Sequence, residues 1–289
     1  MSVLPELEWT TAEDRFVDYC LWEYLPAGPF EGKLRSVNLL RHSFGVEKAS
    51  PLLSEACDAL RADLGPFRTV WGVKHAGGRT SWELYFYDYA RLQRTRSIGR
   101  VLRILEPYVS CGLTFPEDRP YFMFSVELDS AGLRAGRPIE EIDVYVGNVG
   151  SSVSSGICYG LTGDGLLLRN FYFFFDARRE REAALAKLAC SAHLGLGAFD
   201  VRDIVWPELA DCRVLVVANK RDRDGIYFSG IDVDQLLFFL RRLSYPSETI
   251  DFIAENRSAL THMRYDVGYD YAMERDRIRI LKSSYYGFF

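Results

Sequence analysis

Alternation of apolar and polar positions dominates the chain from Phe67 onward. FRTVWGVK and SWELYFYDY flank HAGGRT and read as strand, turn and strand, with Gly77-Gly78 at the tip. YFMFSVELD and EIDVYVGN flank a Gly-containing loop, Ala131 to Pro138, and GNVGSSVSSG (147–156) reads as a connector. GICYGLT and LLLRNFYFFFD flank Gly163-Asp164-Gly165. CRVLVVANK and GIYFSGI flank RDRD, and HMRYDVGYDY and RIRILKSSYYGFF flank AMERD. The pattern therefore predicts five hairpins. Between them, helical periodicity predicts helices over Arg91 to Leu105 (Leu92, Ile98, Val101, Leu102 and Leu105 on one side), Arg178 to Ala192, Asp234 to Leu243 and Ser247 to Ala259. Upstream, Phe16, Val17, Cys20 and Leu21 predict a helix over Thr11 to Trp22. Ser50 and Pro51 predict the start of another, ending near Gly65-Pro66. The organisation expected is an N-terminal helical segment, 1–66, packed on a hairpin-and-helix body, 67–289, in a single domain.

The hairpins repeat. WGVKHAGG (71–78) lies over YGLTGDGL (159–166), and FYD (86–88) over FFD (174–176) at the same offset. The second strands share a shorter signature, in which Tyr follows an apolar residue: Glu83-Leu84-Tyr85, Asp143-Val144-Tyr145, Asn170-Phe171-Tyr172 and Gly225-Ile226-Tyr227, with Ser283-Ser284-Tyr285 as a looser fifth. Strand side chains alternate faces, so Glu83, Tyr85 and Tyr87 oppose Trp82, Leu84 and Phe86. Helices are the available cover for the apolar face. An open sheet with one wet face gives the same alternation, but it leaves the tyrosine-rich face in water. The reading is therefore α+β: a closed antiparallel barrel of about ten strands, built from five ββ hairpins, ringed by helices and polar inside.

Composition supports this and excludes other classes. Seventeen Tyr, 19 Phe and 5 Trp favour strands and call for partners to many phenol hydroxyls. Forty acidic against 35 basic residues, a net charge of −5, argue against a general nucleic-acid binder. No apolar run approaches the ~20 residues that span a bilayer, and MSVLPELEW has no secretory pattern. Six scattered cysteines lack CxxC or zinc spacing. A cytoplasmic protein with reduced cysteines and no membrane or nucleic-acid partner is expected. GxxxxGK[ST], GxSxG and HExxH are all absent.

Five ββ units with helices outside and a polar lumen resemble the ABBA-fold, or PT-barrel, prenyltransferases, the soluble aromatic prenyltransferases of natural-product biosynthesis. Thr69-Val70-Trp71 with Gly78 resembles that family's first repeat. Lys220 with Ile226-Tyr227-Phe228-Ser229-Gly230 resembles its fourth. Gly268-Tyr269-Asp270-Tyr271, Asp276-Arg277-Ile278-Arg279 and Lys282-Ser283-Ser284-Tyr285-Tyr286-Gly287 resemble its closing hairpin. The resemblance spans about 67–289. It implies transfer of a prenyl group from an isoprenoid diphosphate, dimethylallyl or longer, to an aromatic or peptide side-chain acceptor.

That chemistry needs cations for the leaving diphosphate, aromatic faces for the allyl cation and a proton acceptor. Lys74, Lys220, Arg264 and Lys282 are the diphosphate candidates. Tyr85, Tyr145, Tyr172 and Tyr227 are the cation shield, and Glu83 and Glu127 the catalytic carboxylates. Arg221 and Arg223 read as surface. No DDxxD or NDxxD run is present, so no metal ligands are assigned and no cofactor is required, with Mg2+ left open. Several branches of the family carry Lys or Arg two residues before the repeat tyrosine, where this chain has Glu83, Asp143, Asn170 and Gly225. The acidic Glu83 and Asp143 would repel a diphosphate and favour the alternative, a non-catalytic barrel that binds an apolar or cationic small molecule.

Overall fold

The computed structural model describes residues 6–15, 25–88, 94–115, 120–147, 154–194, 200–274 and 277–289. Ten antiparallel strands form one closed barrel: β1 (Val70–Ala76), β2 (Arg79–Tyr87), β3 (Met123–Leu128), β4 (Ile142–Gly147), β5 (Ser155–Thr162), β6 (Gly165–Asp176), β7 (Val214–Lys220), β8 (Asp224–Ile231), β9 (Tyr265–Glu274) and β10 (Arg277–Phe288). Each strand pairs with its neighbours in sequence. β1 pairs with β10 from Val70–Phe288 to His75–Ser283, which closes the ring and leaves no sheet edge. The connections within the five hairpins lie at one end, and the connections between hairpins, most of which carry helices, lie at the other. At the first turn Gly77 and Gly78 take φ of 56° and 73°, the paired left-handed conformation that a two-residue hairpin requires.

Eight helices surround the barrel among the described residues: α1 (Val37–Val46), α2 (Pro51–Leu64), α3 (Ile98–Leu105), α4 (Ser130–Arg134), α5 (Arg181–Ala189), α6 (Val233–Arg242), α7 (Ser247–Glu255) and α8 (Arg257–Leu260). They cover the outward face of the strands. Trp71, Trp82, Leu84, Phe86, Phe124, Val144, Val217, Phe228 and Val267 are all buried there in the main core. A second, smaller apolar cluster lies inside the barrel and includes Val70, Tyr85, Tyr145, Tyr286 and Phe288. The alternation read from the hairpins thus separates a shell core from a lumen. The N-terminal helices pack on this body, α1 against β1, β10 and α7, and α2 against α3.

Several elements differ from expectation. The described start of the Thr11–Trp22 helix is a turn, in which Asp14 is held by the Arg35 guanidinium at 2.7 and 2.9 Å; residues 16–24 lie outside the described residues. The sequence pattern does not predict helix α1, and Ser36 before it makes no side-chain cap hydrogen bond. Helix α3 begins at Ile98, not Arg91: Ser97 Oγ accepts from the Arg100 N–H at 3.2 Å and starts the helix there, while residues 91–93 lie outside the described residues. The Ala131–Pro138 loop carries α4, started by Asp129. The Ser247–Ala259 helix is divided at Asn256 into α7 and α8. Residues 148–153 of the connector lie outside the described residues.

Candidate functional site

The lumen is built in layers, because alternate strands contribute side chains at the same level. The second strand of each hairpin places one tyrosine at one level: Tyr85, Tyr145, Tyr172, Tyr227 and Tyr286. Neighbouring rings touch, with centroids 5.8 Å apart for Tyr85–Tyr286, 6.0 Å for Tyr145–Tyr172 and 6.2 Å for Tyr172–Tyr227. The fifth member of the repeat is therefore Tyr286. Tyr285 faces the helices, where it packs edge-on against Trp71 and Tyr245.

The first strands supply Gly72, Ser125, Cys158, Ala218 and Gly268 at the adjoining level. These are small, and smallness is what admits the rings. A Cβ on Gly72 would stand 2.7 Å from Tyr286 Cε1, and one on Gly268 would enter the ring of Tyr227.

The residues two before each tyrosine form the next level, and three of them, Glu83, Asn170 and Ser284, hold the hydroxyls. Tyr85 OH donates to Glu83 at 2.5 Å, Asn170 donates to Tyr172 OH at 3.1 Å, and Ser284 Oγ lies 2.7 Å from Tyr286 OH. Tyr227 OH accepts from Lys220 Nζ at 3.2 Å. Glu83, Asn170, Ser284 and Lys220 thus anchor four members of the ring.

Below this level, toward the hairpin turns, lies a charged cluster. Lys74 is paired with Glu83 and, at 2.8 Å, with Glu127. Glu83 also accepts from Ser125 Oγ at 2.5 Å, and Glu127 from Ser81 Oγ at 2.5 Å. Lys220 meets Asp270 at 2.6 Å, and Asp270 also faces Arg223 at 3.4 Å and Lys282 at 3.6 Å. Burial opposes charging of Asp270, but Lys220, Lys282 and Arg223 overcome it and hold its carboxyl down to about 2. Glu127 is likewise held to about 2, against burial, by Lys74. Lys282 is lowered to about 8 by burial and by the charges of Lys74 and Lys220. Asp143 goes the other way: burial and then the charge of Glu83 raise it to about 6.

Above the ring, toward the opposite end, the lumen opens into a well of about 120 Å3 lined by apolar side chains such as Val70, Phe122, Met123 and Phe174 and by the polar Ser229 and Asp266, over the tyrosines. The well is somewhat smaller than the roughly 150 Å3 cavity that holds benzene, a size on the scale of a five-carbon group.

The structure brings together nine of the ten residues singled out from the sequence. Lys74, Lys220 and Lys282 share the charged cluster with Glu83 and Glu127, and Tyr85, Tyr145, Tyr172 and Tyr227 share the ring. Arg264 stands apart. It precedes β9 at the other end of the barrel and lines an outer groove with Asp176, Arg178 and Asp211, so strand direction takes it away from the lysines. Arg223, read as surface, reaches Asp270 because its turn folds back over the barrel end. Tyr286 and Asp270 were missed as site residues. The alternation from Gly268 and Ser284 carried the signal for both. Among the described residues no three His, Cys, Asp or Glu converge as a metal set, and the lumen carboxylates of the cluster are engaged by lysines.

The pH behaviour follows from Asp143 and has a definite sign. A carboxyl raised in the folded state favours folding while protonated, and that contribution is lost as pH rises from about 4 through 6. His262, lowered to about 4 by burial, changes stability in the opposite sense over much of the same window. The test is therefore a difference. Between pH 4 and pH 7 the stability of Asp143→Asn is expected to rise relative to wild type, read by urea unfolding at fixed ionic strength. A constant difference across that window would remove the assignment.

A scan against protein-family models finds no match for this chain, and a search of curated proteins finds none either. No helix among the described residues is long and apolar enough to cross a membrane. The five described cysteines are free thiols.

Proposed function

We propose that this barrel transfers a prenyl group from an isoprenoid diphosphate to an aromatic or peptide side-chain acceptor. The observation that carries the reading is the stacking of layers: five tyrosine rings lie directly above a cluster holding three lysines. An ionising allylic diphosphate develops negative charge at one end and a carbocation at the other. Lys74, Lys220 and Lys282 suit the first. The tyrosine faces suit the second, by cation–π attraction and by excluding water. The well above the ring takes the acceptor and holds it over the cation.

A second reading rests on the carboxylates. Glu83, Glu127 and Asp270 already neutralise lysines that a diphosphate would need. A barrel whose cations are satisfied internally suits a non-catalytic binder of an apolar or cationic small molecule in the well.

Calorimetric titration with a non-hydrolysable dimethylallyl diphosphate analogue, with and without Mg2+, separates the two. Saturable binding is expected, weakened at least about tenfold in Lys220→Ala, or about 1.4 kcal/mol. Because Lys220 pairs with buried Asp270, Lys282→Ala serves as the second variant; its side chain is 26% exposed and its ion pair is longer. Absence of binding with and without Mg2+, together with binding of a hydrophobic amine, would leave the second reading standing.

A further inference from the structure

We infer that the acceptor is a peptide, and that its chain lies in the groove outside the barrel mouth with an acidic side chain paired to Arg264. The inference rests on the transfer reading and narrows its acceptor.

Well and groove are continuous. On three strands the lining passes from one to the other: Phe174 to Asp176 on β6, Ser229 to Gly230 on β8, and Asp266 to Arg264 at the start of β9. Asp266 accepts from Ser229 Oγ at 2.8 Å and from the Gly230 N–H at 3.0 Å, which fixes the step between the two spaces. The groove holds about 810 Å3 between these strand ends, the start of α6 and the short turn Pro207–Leu209, against about 120 Å3 for the well. A single small aromatic ring would occupy the well alone and leave the groove unused. A peptide uses both, because its aromatic side chain reaches into the well while its backbone stays outside.

Charge narrows the occupant further. The groove carries five carboxyl side chains against three guanidinium groups, so it repels a free polyanion such as the diphosphate itself. Most of these charges are engaged within the chain. Arg178 meets Asp211 at 2.6 Å, Asp234 is held by Arg257, and Asp176 and Asp232 accept backbone N–H groups. Arg264 differs. It is half-buried, and among the described residues no hydrogen bond or ion pair engages its guanidinium. A guanidinium held partly out of water is best satisfied by one carboxylate, which it grips with two parallel hydrogen bonds.

Strand geometry sets where that carboxylate sits on the peptide. Arg264 stands two residues from Asp266, which lines the well. Two strand residues span about 6.7 Å, and an extended peptide repeats at the same distance. With the aromatic side chain in the well, the acidic residue that meets Arg264 is therefore two positions away from it. Arg264 thus reads a carboxylate of the acceptor rather than the diphosphate, and it acts on specificity rather than on the chemical step.

The test is calorimetric titration of the full chain with blocked pentapeptides that carry a tyrosine and, two positions before or after it, an aspartate, an asparagine or a lysine. Each titration is run with and without the dimethylallyl diphosphate analogue. Wild type is expected to bind an aspartate peptide about three- to fivefold more tightly than its asparagine counterpart at low salt, and the preference is expected to fade as salt is raised. Arg264→Ala is expected to remove the preference, and Arg264→Glu to reverse the order so that a lysine peptide binds best. Both variants are expected to unfold close to the wild-type midpoint, since neither loses an ion pair within the chain. Absence of saturable peptide binding under both conditions overturns the inference, and so does an aspartate preference that survives in Arg264→Ala. If the diphosphate analogue binds while every peptide fails, the transfer reading stands with a free small aromatic as its acceptor. An Arg264-dependent peptide preference in a protein that does not bind the analogue would sink the transfer reading and leave the groove as a peptide site.

Discussion

Lys74→Ala is expected to destabilise the fold by about 3–5 kcal/mol at pH 7, the range found when one partner of a buried ion pair is removed. Lys74 and Glu83 have side chains only 7% and 3% exposed, and Lys74 also holds Glu127. Its removal leaves Glu83 in the lumen with hydrogen bonds from Tyr85 and Ser125 but no cation. The charge then costs far more than the lost contact. Denaturant unfolding measures the loss, and Lys74→Ala combined with Glu83→Gln tells the two causes apart. If the buried charge is responsible, the double variant recovers much of the stability, because the amide keeps hydrogen-bonding capacity without charge. A single-variant cost below about 1 kcal/mol, typical of exposed pairs, would show that water reaches this pair freely.

The barrel was legible because its period is unambiguous. Strict alternation in SWELYFYDY and EIDVYVGN assigned Glu83, Tyr85, Asp143 and Tyr145 to one face, and they do share the lumen. LLLRNFYFFF is apolar on both faces, so alternation alone does not orient it. The structure puts Asn170 and Tyr172 inside, and a register shift between Cys158 and Tyr159 interrupts this pairing. The closing hairpin misled for a related reason. SSYY contains two adjacent tyrosines, and a one-residue change of frame exchanges lumen and shell. The structure fixes the frame: a Cβ on Gly287 would meet Trp71 and Ser36 on the helix side, so Tyr286 faces inward.

Charge pairing was less legible than fold. Motif spacing ranks Lys74, Lys220, Arg264 and Lys282 alike, since all lie on or beside strands. Which of them meet depends on how far along each strand they sit. Barrel stagger brings Lys74, Lys220 and Lys282 to the hairpin end and leaves Arg264 at the other. The carboxylate partners come from two strands away, Glu127 on β3 to Lys74 on β1 and Asp270 on β9 to Lys220 on β7, and such reach across an intervening strand is a property of the closed, staggered sheet. The small layer was equally hidden. Gly72, Ser125, Cys158, Ala218 and Gly268 have no common chemistry, only a common volume limit.

That limit makes Gly268→Ala the most damaging small change to the site. The backbone there is ordinary extended strand, so the cost is steric rather than conformational. The added methyl would stand inside the ring of Tyr227, which must leave its position above Lys220. Overpacking of this kind costs about 1–3 kcal/mol. The larger consequence is local, since Tyr227 touches Tyr172 and displacing it opens the ring. Binding of the dimethylallyl diphosphate analogue is expected to fall at least about 100-fold, or about 2.8 kcal/mol, well beyond the stability loss. Ala218→Gly, at the same level, is expected to change binding little because it adds no volume. Combining Gly268→Ala with Tyr227→Leu supplies the decisive comparison. Removing the phenol ring makes room for the methyl, so stability should return while binding stays weak. Recovery of binding in that double variant would mean that the lumen needs free volume at this level and not the tyrosine's aromatic face.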